Sequence, residues 1–377
     1  MTHLTYLEAA VVGLIQGVTE LFPISSLGHN VLLPALVGGS WASDLNVAAS
    51  ESPYLAYIVG LHVATAIALL IYFWRDWVRI VKGFFSSLRQ FVQPEEGTSR
   101  WHLQTVDQRL AWMIIVATIP VGLVGLKFEH EFRVLFGKPI RAAIFLLING
   151  LILYAGERFR TRKSLAADAE VIAEADLADP RAAPGRPAPR VTTSSATTSS
   201  ATASRTATPE DAASGPAAPV AGGPGTAMHA SGQRAVKQLE AARSFQADAR
   251  LTKIGYWQGL IIGSAQILAL LAGISRDGVV MVTGMFRGLS RQDAARFSFL
   301  LSTPVILAAG VLKIPDLTGP LANGIHGQVL VGSVLSGVGA YLSVRFLMKY
   351  FTTRTLTPFA IYCVVVGLAS TIYLSVK

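Results

Sequence analysis

Cysteine is almost missing from this chain of 377 residues: Cys363 stands alone inside an apolar run, so the sequence can build neither a disulfide nor a cysteine-ligated metal site. Charge is scarce as well. Charged residues make up 15% of the sequence against 51% hydrophobic ones, and mean hydropathy is +0.47, whereas soluble globules carry roughly a quarter charged residues. That scarcity excludes an ordinary water-soluble fold and makes lipid the solvent for most of the chain. Acidic residues are the rarer sign, 23 against 32 Lys and Arg, giving a net charge of +9. In a soluble protein this excess would suggest nucleic acid. Here the bases crowd the ends of apolar segments, the pattern that orients a membrane protein, and no nucleic-acid partner is expected. The start of the chain lacks a basic region ahead of its first apolar stretch and lacks a small-residue cleavage site, so it is read as mature protein.

What is present is long apolar sequence. A spanning helix needs about 20 mainly apolar residues, and six stretches reach that length: near Pro53 to Trp74, Leu110 to Lys127, Pro139 to Glu157, Ala294 to Lys313, Val329 to Met348 and Pro358 to Leu374. Two further regions, Leu4 to Val37 and Gly255 to Gly288, are too long for one helix and are broken in the middle by small and polar residues. Broken backbone at membrane depth is tolerated only inside protein or beside a watery cavity, so each is expected to be a re-entrant hairpin. Between Ser164 and Arg250 the composition turns to Ala, Ser, Thr, Pro and Gly, which cannot bury enough apolar surface to offset chain entropy. The expected organisation is therefore an all-α polytopic membrane protein in two halves, 1–163 and 251–377, with a disordered linker over 164–250.

Each half holds one hairpin and three spans, an odd number, so the second half should be an inverted repeat of the first. The hairpins open alike, Gly13-Leu-Ile-Gln-Gly17 against Gly259-Leu-Ile-Ile-Gly263. Inverted repeats place their site where the hairpins meet. The loop bearing Arg75, Arg79, Lys82 and Arg89, the linker flank bearing Arg158, Arg160, Arg162 and Lys163, and the loop bearing Lys349 and Arg354 all fall on one face of six spans. The positive-inside rule makes that face cytoplasmic, linker included, and puts both termini outside.

The first hairpin reads Gln16-Gly-Val-Thr-Glu20-Leu-Phe-Pro23-Ile-Ser25-Ser26-Leu27-Gly28-His29. Gln16 and Glu20, spaced i and i+4, share one helical face. Pro23 then stops the helix, and Ser25 or Ser26 can cap the returning one. An ionisable Glu20 at membrane depth is a functional candidate by its cost alone, and His29 could move a proton near neutral pH. In the second hairpin, Gly273-Ile-Ser275-Arg276-Asp277-Gly278 places an arginine at the opening of a helix, where guanidinium, backbone N–H groups and helix dipole together suit phosphate. A purely structural Arg276 would instead pair with Asp277 or Glu20. Arg287 and Arg291 are expected to anchor at the interface.

These two segments resemble the undecaprenyl-pyrophosphate phosphatase family, the bacterial bacitracin-resistance proteins. Gln16, Glu20, Pro23, Ser25, Ser26, Gly28 and His29 match its first motif, and Gly273, Ser275, Arg276 and Gly278 its second. Gly288-Leu-Ser-Arg291, Phe297-Ser-Phe-Leu-Leu301 and Pro358-Phe-Ala-Ile-Tyr362 are similar to later family segments, so the match covers nearly all of the chain outside the linker. The resemblance implies an enzyme of the bacterial plasma membrane that hydrolyses undecaprenyl pyrophosphate to the monophosphate, recycles the carrier for peptidoglycan synthesis and confers bacitracin resistance, assisted by Mg²⁺ or Ca²⁺. It implies Glu20, Ser26, His29 and Arg276 as catalytic, with Ser26, His29 or water as nucleophile. Gln16, Ser25, Gly28, Gly273, Ser275, Arg276 and Gly278 would bind pyrophosphate, and Glu20 with Gln16 would hold the metal.

Three positions depart from the family pattern: Leu27 for Thr, Ala272 for Pro and Asp277 for Ser. Asp277 is expected either to neutralise the phosphate clamp or to add a metal ligand. The rival reading is a noncatalytic transporter of polyprenyl phosphate or another anionic lipid, since inverted repeats with broken helices also serve transport. A phosphatidic-acid-type phosphatase ranks below both, because no His follows Ser275-Arg276 until His326. A homodimer is left open, and the first hairpin's outward position favours a site opening to the extracytoplasmic face.

Overall fold

The computed structural model describes residues 4–45, 53–93, 103, 105–136, 138–178, 244–319 and 323–377. Met1–Ser164 and Arg243–Lys377 form one compact unit. The second unit, Leu165–Ala242, is described only as the continuation of a helix as far as Ala178. Most of the expected linker thus lies outside the described residues, while its last part, 244–250, is helical.

Among the described residues the chain is helical and has no strand. Helix α1 (Tyr6–Thr19) starts at a capping box: Glu8 N donates to Thr5 Oγ1 at 3.2 Å and Thr5 N to Glu8 Oε2 at 2.8 Å. It ends at Glu20, shortly before Pro23, and α2 (Ser26–Val37) returns from Ser25, whose hydroxyl is the N-cap. Helices of 14 and 12 residues are about 21 and 18 Å long, short of the roughly 30 Å hydrocarbon core. The chain continues through α3 (Gly39–Asp44), α4 (Pro53–Tyr72), α5 (Trp74–Val92), α6 (Val106–Phe136), α7 (Pro139–Ala178) and α8 (244–251). The second broken segment comprises α9 (Tyr256–Ser264), a 3-10 helix (Ala265–Leu270) and α10 (Arg276–Phe286). Then follow α11 (Arg291–Leu312), α12 (Ile314–Thr318), α13 (His326–Tyr350) and α14 (Thr357–Val376).

Five described helices are long and apolar enough to cross a membrane: Val106–Phe128, Pro139–Arg160, Arg291–Leu312, His326–Tyr350 and Thr357–Val376. A sixth candidate is bent by 85° between Tyr57–Tyr72 and Trp74–Val92. The loop expected to carry Arg75, Arg79, Lys82 and Arg89 is therefore a helix, α5, with Arg and Lys along one side and Ile80, Gly83 and Ser87 buried on the other.

Polar contacts fix the direction of the helices. Arg79 on α5 bonds Asp76 (2.6 Å), Asp107 at the start of α6 (3.3 Å) and Asp248 on α8 (2.7 Å), while Arg296 near the start of α11 bonds Asp248 (2.9 Å) and Asp76 (3.2 Å). Burial pushes the Asp248 carboxyl above its ordinary range, with Arg296 opposing and Asp76 reinforcing that shift. Glu157 on α7 pairs with Arg291 and accepts from Leu356 N (3.2 Å) beside α14. Arg291 is thus an ion-pair partner rather than a bare interfacial anchor. The end of α4, the Glu157 turn of α7 and the starts of α6, α11 and α14 consequently meet at one end of the bundle.

The two broken segments enter from opposite ends. At the start of α1, Leu4 O accepts from Gln328 Nε2 (3.0 Å) at the start of α13, and Gly13 and Gly17 pack on the backbone of Gly332 and Ser336 further along it. In α9, Gly259 and Gly263 pack instead on Met113 and Ala117 of α6. Each matching glycine pair thus lets its helix run closely alongside a long helix of the other half, and those long helices run in opposite directions.

Candidate active site

Glu20 lies where the two broken segments meet. Its Oε1 takes Arg276 Nη2 at 2.5 Å, while its Oε2 accepts from Gln16 Nε2 at 2.8 Å and from the Ser26 hydroxyl. One turn of α1 therefore puts Gln16 and Glu20 on one face, as their spacing requires, and the second segment supplies the cation. Both carboxylate oxygens are buried, whereas the Arg276 side chain keeps 16% of its surface exposed. Arg276 Nε has no protein partner, leaving the guanidinium with donors to spare for an anion.

The turns themselves touch. Ser25 adopts φ 69°, the one non-glycine residue with positive φ among those described, and its Oγ accepts from Gly28 N and from Gly273 N, each at 3.2 Å. Asn149 of α7 ties the same turns from below, donating through Nδ2 to Pro23 O (3.0 Å) and accepting through Oδ1 from Ser275 N (3.0 Å). Ser275 Oγ in turn accepts from Gly278 N at 3.1 Å. The N–H groups of Gly28, Gly273, Ser275 and Gly278, expected to cradle pyrophosphate, are all engaged in building the turns. What remains for an anion is the Arg276 side chain and the N-terminal ends of α2 and α10, which the Ser25–Gly273 contact brings together.

His29 is not part of the Glu20 cluster. Its Nδ1 faces Ser25 O (2.7 Å) and its Nε2 faces Tyr362 OH (2.8 Å), with the two rings stacked at 5.8 Å. Since a carbonyl only accepts, Nδ1 carries the proton and Nε2 accepts from the tyrosine. Asp277 also falls elsewhere than expected. It is fully buried, and its Oδ1 accepts from Ser298 (2.6 Å) and Ser302 (2.7 Å) of α11. Asp277 Oδ1 is thus held by α11, and Glu20, not Asp277, is the carboxylate on Arg276. Leu27, at the position of the family threonine, packs against the apolar core, and Ala272 is buried beside the turn.

Four residues of this region were not singled out from the sequence. His62 of α4 points Nε2 at Gln16 Nε2 (3.4 Å) and Glu20 Oε2 (3.6 Å); Asn30 Nδ2 donates to Gln16 Oε1 (2.6 Å); Asn149 and Tyr362 act as described. His62 and Asn149 are polar residues inside apolar runs, the same signal that exposed Glu20. Among the described residues no three His, Cys, Asp or Glu side chains gather as a metal cluster. Glu20 Oε2 is a hard oxygen donor of the kind a divalent ion takes, whereas the Gln16 amide faces it through Nε2 and gives its oxygen to Asn30.

The model of the bacitracin resistance protein BacA family matches residues 9–177 and 225–369. The chain is 51% identical over 375 residues to an undecaprenyl-diphosphatase of Mycolicibacterium paratuberculosis, covering 100% of this chain and 99% of that one. It is 48% identical over 376 residues to undecaprenyl-diphosphatase 2 of Frankia alni, covering 99% and 98%. A more distant relative, undecaprenyl-diphosphatase 2 of Burkholderia ambifaria, is 32% identical over 354 residues, covering 94% and 91%.

Proposed function

The chain belongs to the bacitracin resistance protein BacA family and is an undecaprenyl-diphosphate phosphatase, and from that premise we propose that hydrolysis takes place at the Glu20–Arg276 contact, recycling the lipid carrier for cell-wall synthesis. The observation that carries the site is that Arg276, although paired with Glu20 of the other turn, keeps 16% of its side chain exposed at the junction where the N-termini of α2 and α10 begin. Phosphoryl transfer needs positioning and charge stabilisation more than specialised groups, and this contact offers both. The transport alternative loses ground because the relatives carry an enzyme's name over their full length.

In this reading Ser26 is the nucleophile, because its hydroxyl already donates to Glu20 Oε2. Glu20 takes that proton as Ser26 Oγ bonds to the terminal phosphorus and the anhydride P–O bond breaks, releasing undecaprenyl phosphate. Water then attacks the phosphoserine, Glu20 returns its proton to Ser26 Oγ as the P–O bond breaks, and the water's oxygen and protons leave with inorganic phosphate and solvent. Arg276 binds the equatorial oxygens throughout. His29, held by Ser25 and Tyr362, orients the turn and reaches the reaction only if Tyr362 releases it. Gln16 and Glu20 would hold Mg²⁺ or Ca²⁺, which supplies charge neutralisation on the diphosphate. Detergent-purified protein with Mg²⁺ is expected to release phosphate from undecaprenyl diphosphate, and the Glu20→Ala variant to release none above background; a Glu20→Ala variant with wild-type release would remove the carboxylate from the mechanism.

The membrane arrangement follows the same logic. Six spans, with α4 as the first, and two re-entrant hairpins fit the short α1, α2, α9 and α10 and their entry from opposite ends, the geometry of an inverted repeat. The end of the bundle bearing Arg79, Arg296, Arg291 and Lys349 is assigned to the cytoplasm of a bacterial inner-membrane protein, with the first hairpin opening outward. A Thr352→Cys probe in the exposed α13–α14 turn, placed in a Cys363→Ser background, should label from the cytoplasmic side only. Labelling by an impermeant reagent applied outside intact cells would invert the assignment.

A further inference from the structure

His62 is the least explained group near Glu20. It sits on an otherwise apolar stretch of α4, its side chain 27% exposed. Its Nδ1 lies 2.9 Å from Ile58 O, one turn back on the same helix. A carbonyl cannot donate, so Nδ1 carries a hydrogen there, and Nε2 is the ring atom turned toward Glu20 and Gln16. This is how metal-ligating histidines are held: the far N–H on a carbonyl orients the ring and fixes the tautomer.

The spacing of the three atoms points the same way. Gln16 Nε2, Glu20 Oε2 and His62 Nε2 form a triangle with sides of 2.8, 3.4 and 3.6 Å. Adjacent ligands of an octahedral ion with bonds near 2.1 Å stand about 3 Å apart, so these atoms approximate one face of a coordination octahedron. For an oxygen to occupy the Gln16 corner, its amide must turn over, which hands its NH₂ to Asn30. Asn30 Oδ1 is buried without a protein partner and, turned likewise, accepts that NH₂. The two amides can therefore exchange donor and acceptor in concert without any backbone movement. Arg276 does not obstruct this face, because it occupies the other carboxylate oxygen, Oε1, and the Ser26 hydroxyl takes one of the two lone pairs of Oε2, leaving the one that now faces Gln16 for the ion.

We propose that His62 Nε2, Glu20 Oε2 and the Gln16 amide oxygen form a three-donor divalent-cation site, and that its imidazole ligand gives it a preference for Mn²⁺ over Ca²⁺. The proposal rests on the phosphatase reading only for the purpose of the ion; the site stands on its own geometry. Ca²⁺ takes oxygen ligands, whereas first-row divalent ions accept imidazole nitrogen as well, and Mn²⁺, the weakest binder among them, is the one that also favours the carboxylate and carbonyl oxygens present here. The face left open toward Arg276 and the helix N-termini is where diphosphate oxygens would complete the shell.

The test is Mn²⁺ binding to the full chain in detergent, without substrate, followed by electron paramagnetic resonance. Wild-type protein should bind one Mn²⁺ with the nitrogen hyperfine coupling of a directly bound imidazole, and Ca²⁺ should displace it only in large excess. His62→Leu should weaken binding by at least about tenfold. His62→Gln, which keeps side-chain length and restores an oxygen donor, should bind Mn²⁺ without the imidazole coupling. Absence of that coupling in wild type, its persistence in His62→Gln, or equal affinity for Ca²⁺ overturns the proposal. Phosphate release measured on the same sample separates the two readings: release without imidazole coupling defeats only the cation site, and coupling without release defeats only the phosphatase mechanism.

Discussion

Arg276→Ala should lower phosphate release from undecaprenyl diphosphate by about a thousandfold or more, the scale on which phosphoryl- and acyl-transfer sites lose activity with their principal charge donor. The side chain does two things at once. It keeps 16% of its surface exposed and so can reach an incoming head group, and it holds Glu20 Oε1 at 2.5 Å. Removing it leaves a buried carboxylate unpaired, which typically costs about 3–5 kcal/mol, so loss of activity must be separated from loss of fold. The double variant Arg276→Ala with Glu20→Gln removes both charges and should recover most of the thermal stability in detergent while recovering none of the turnover. Arg276→Lys keeps the charge but not the planar fork, and should remain about a hundredfold below wild type. Near-wild-type turnover in either single variant would detach the guanidinium from the transferred phosphate.

The features legible in the sequence were those encoded by short-range spacing. Gln16 and Glu20 are neighbours because they are one turn apart, and the break near Pro23 is where a helix must stop. The apolar lengths set the number of candidate spans, and the repeated glycine spacing of Gly13/Gly17 and Gly259/Gly263 marked both helices that pack closely along a long helix of the other half. Features that depend on which faces of distant helices meet were not legible. Asp277 shares a helical turn with Arg276, yet its side chain goes to Ser298 and Ser302, spaced i and i+4 on α11, and that pairing exists only once α10 and α11 pack. The glycines of both motifs suggested an amide cradle for phosphate. The N–H groups of Gly28 and Gly278 instead go to the local caps Ser25 Oγ and Ser275 Oγ, while that of Gly273 goes to Ser25 Oγ because two turns 248 residues apart come into contact. His62, Asn30, Asn149 and Tyr362 reach the site from helices whose approach no local pattern specifies.

That contact between turns is itself open to a severe test. A methyl group at Gly28 would lie 2.9 Å from Gly273 Cα and 3.1 Å from Gly273 N, and backbone atoms held by Ser25 and Asn149 cannot step aside as a side chain would. Gly28→Ala should therefore separate the turns, break the Ser25 bridge and move Ser26 away from Arg276. A displacement of about 1 Å can cost a hundredfold in rate, so turnover should fall by at least that factor with lowered thermal stability. Gly122→Ala is the matched control: it lies within α6 with nothing within 4 Å of the added methyl, and alanine there should leave activity intact and stabilise the helix by up to about 1 kcal/mol. Full activity in Gly28→Ala would mean that the site does not depend on the two turns touching, and the assignment of catalysis to their junction would have to be given up.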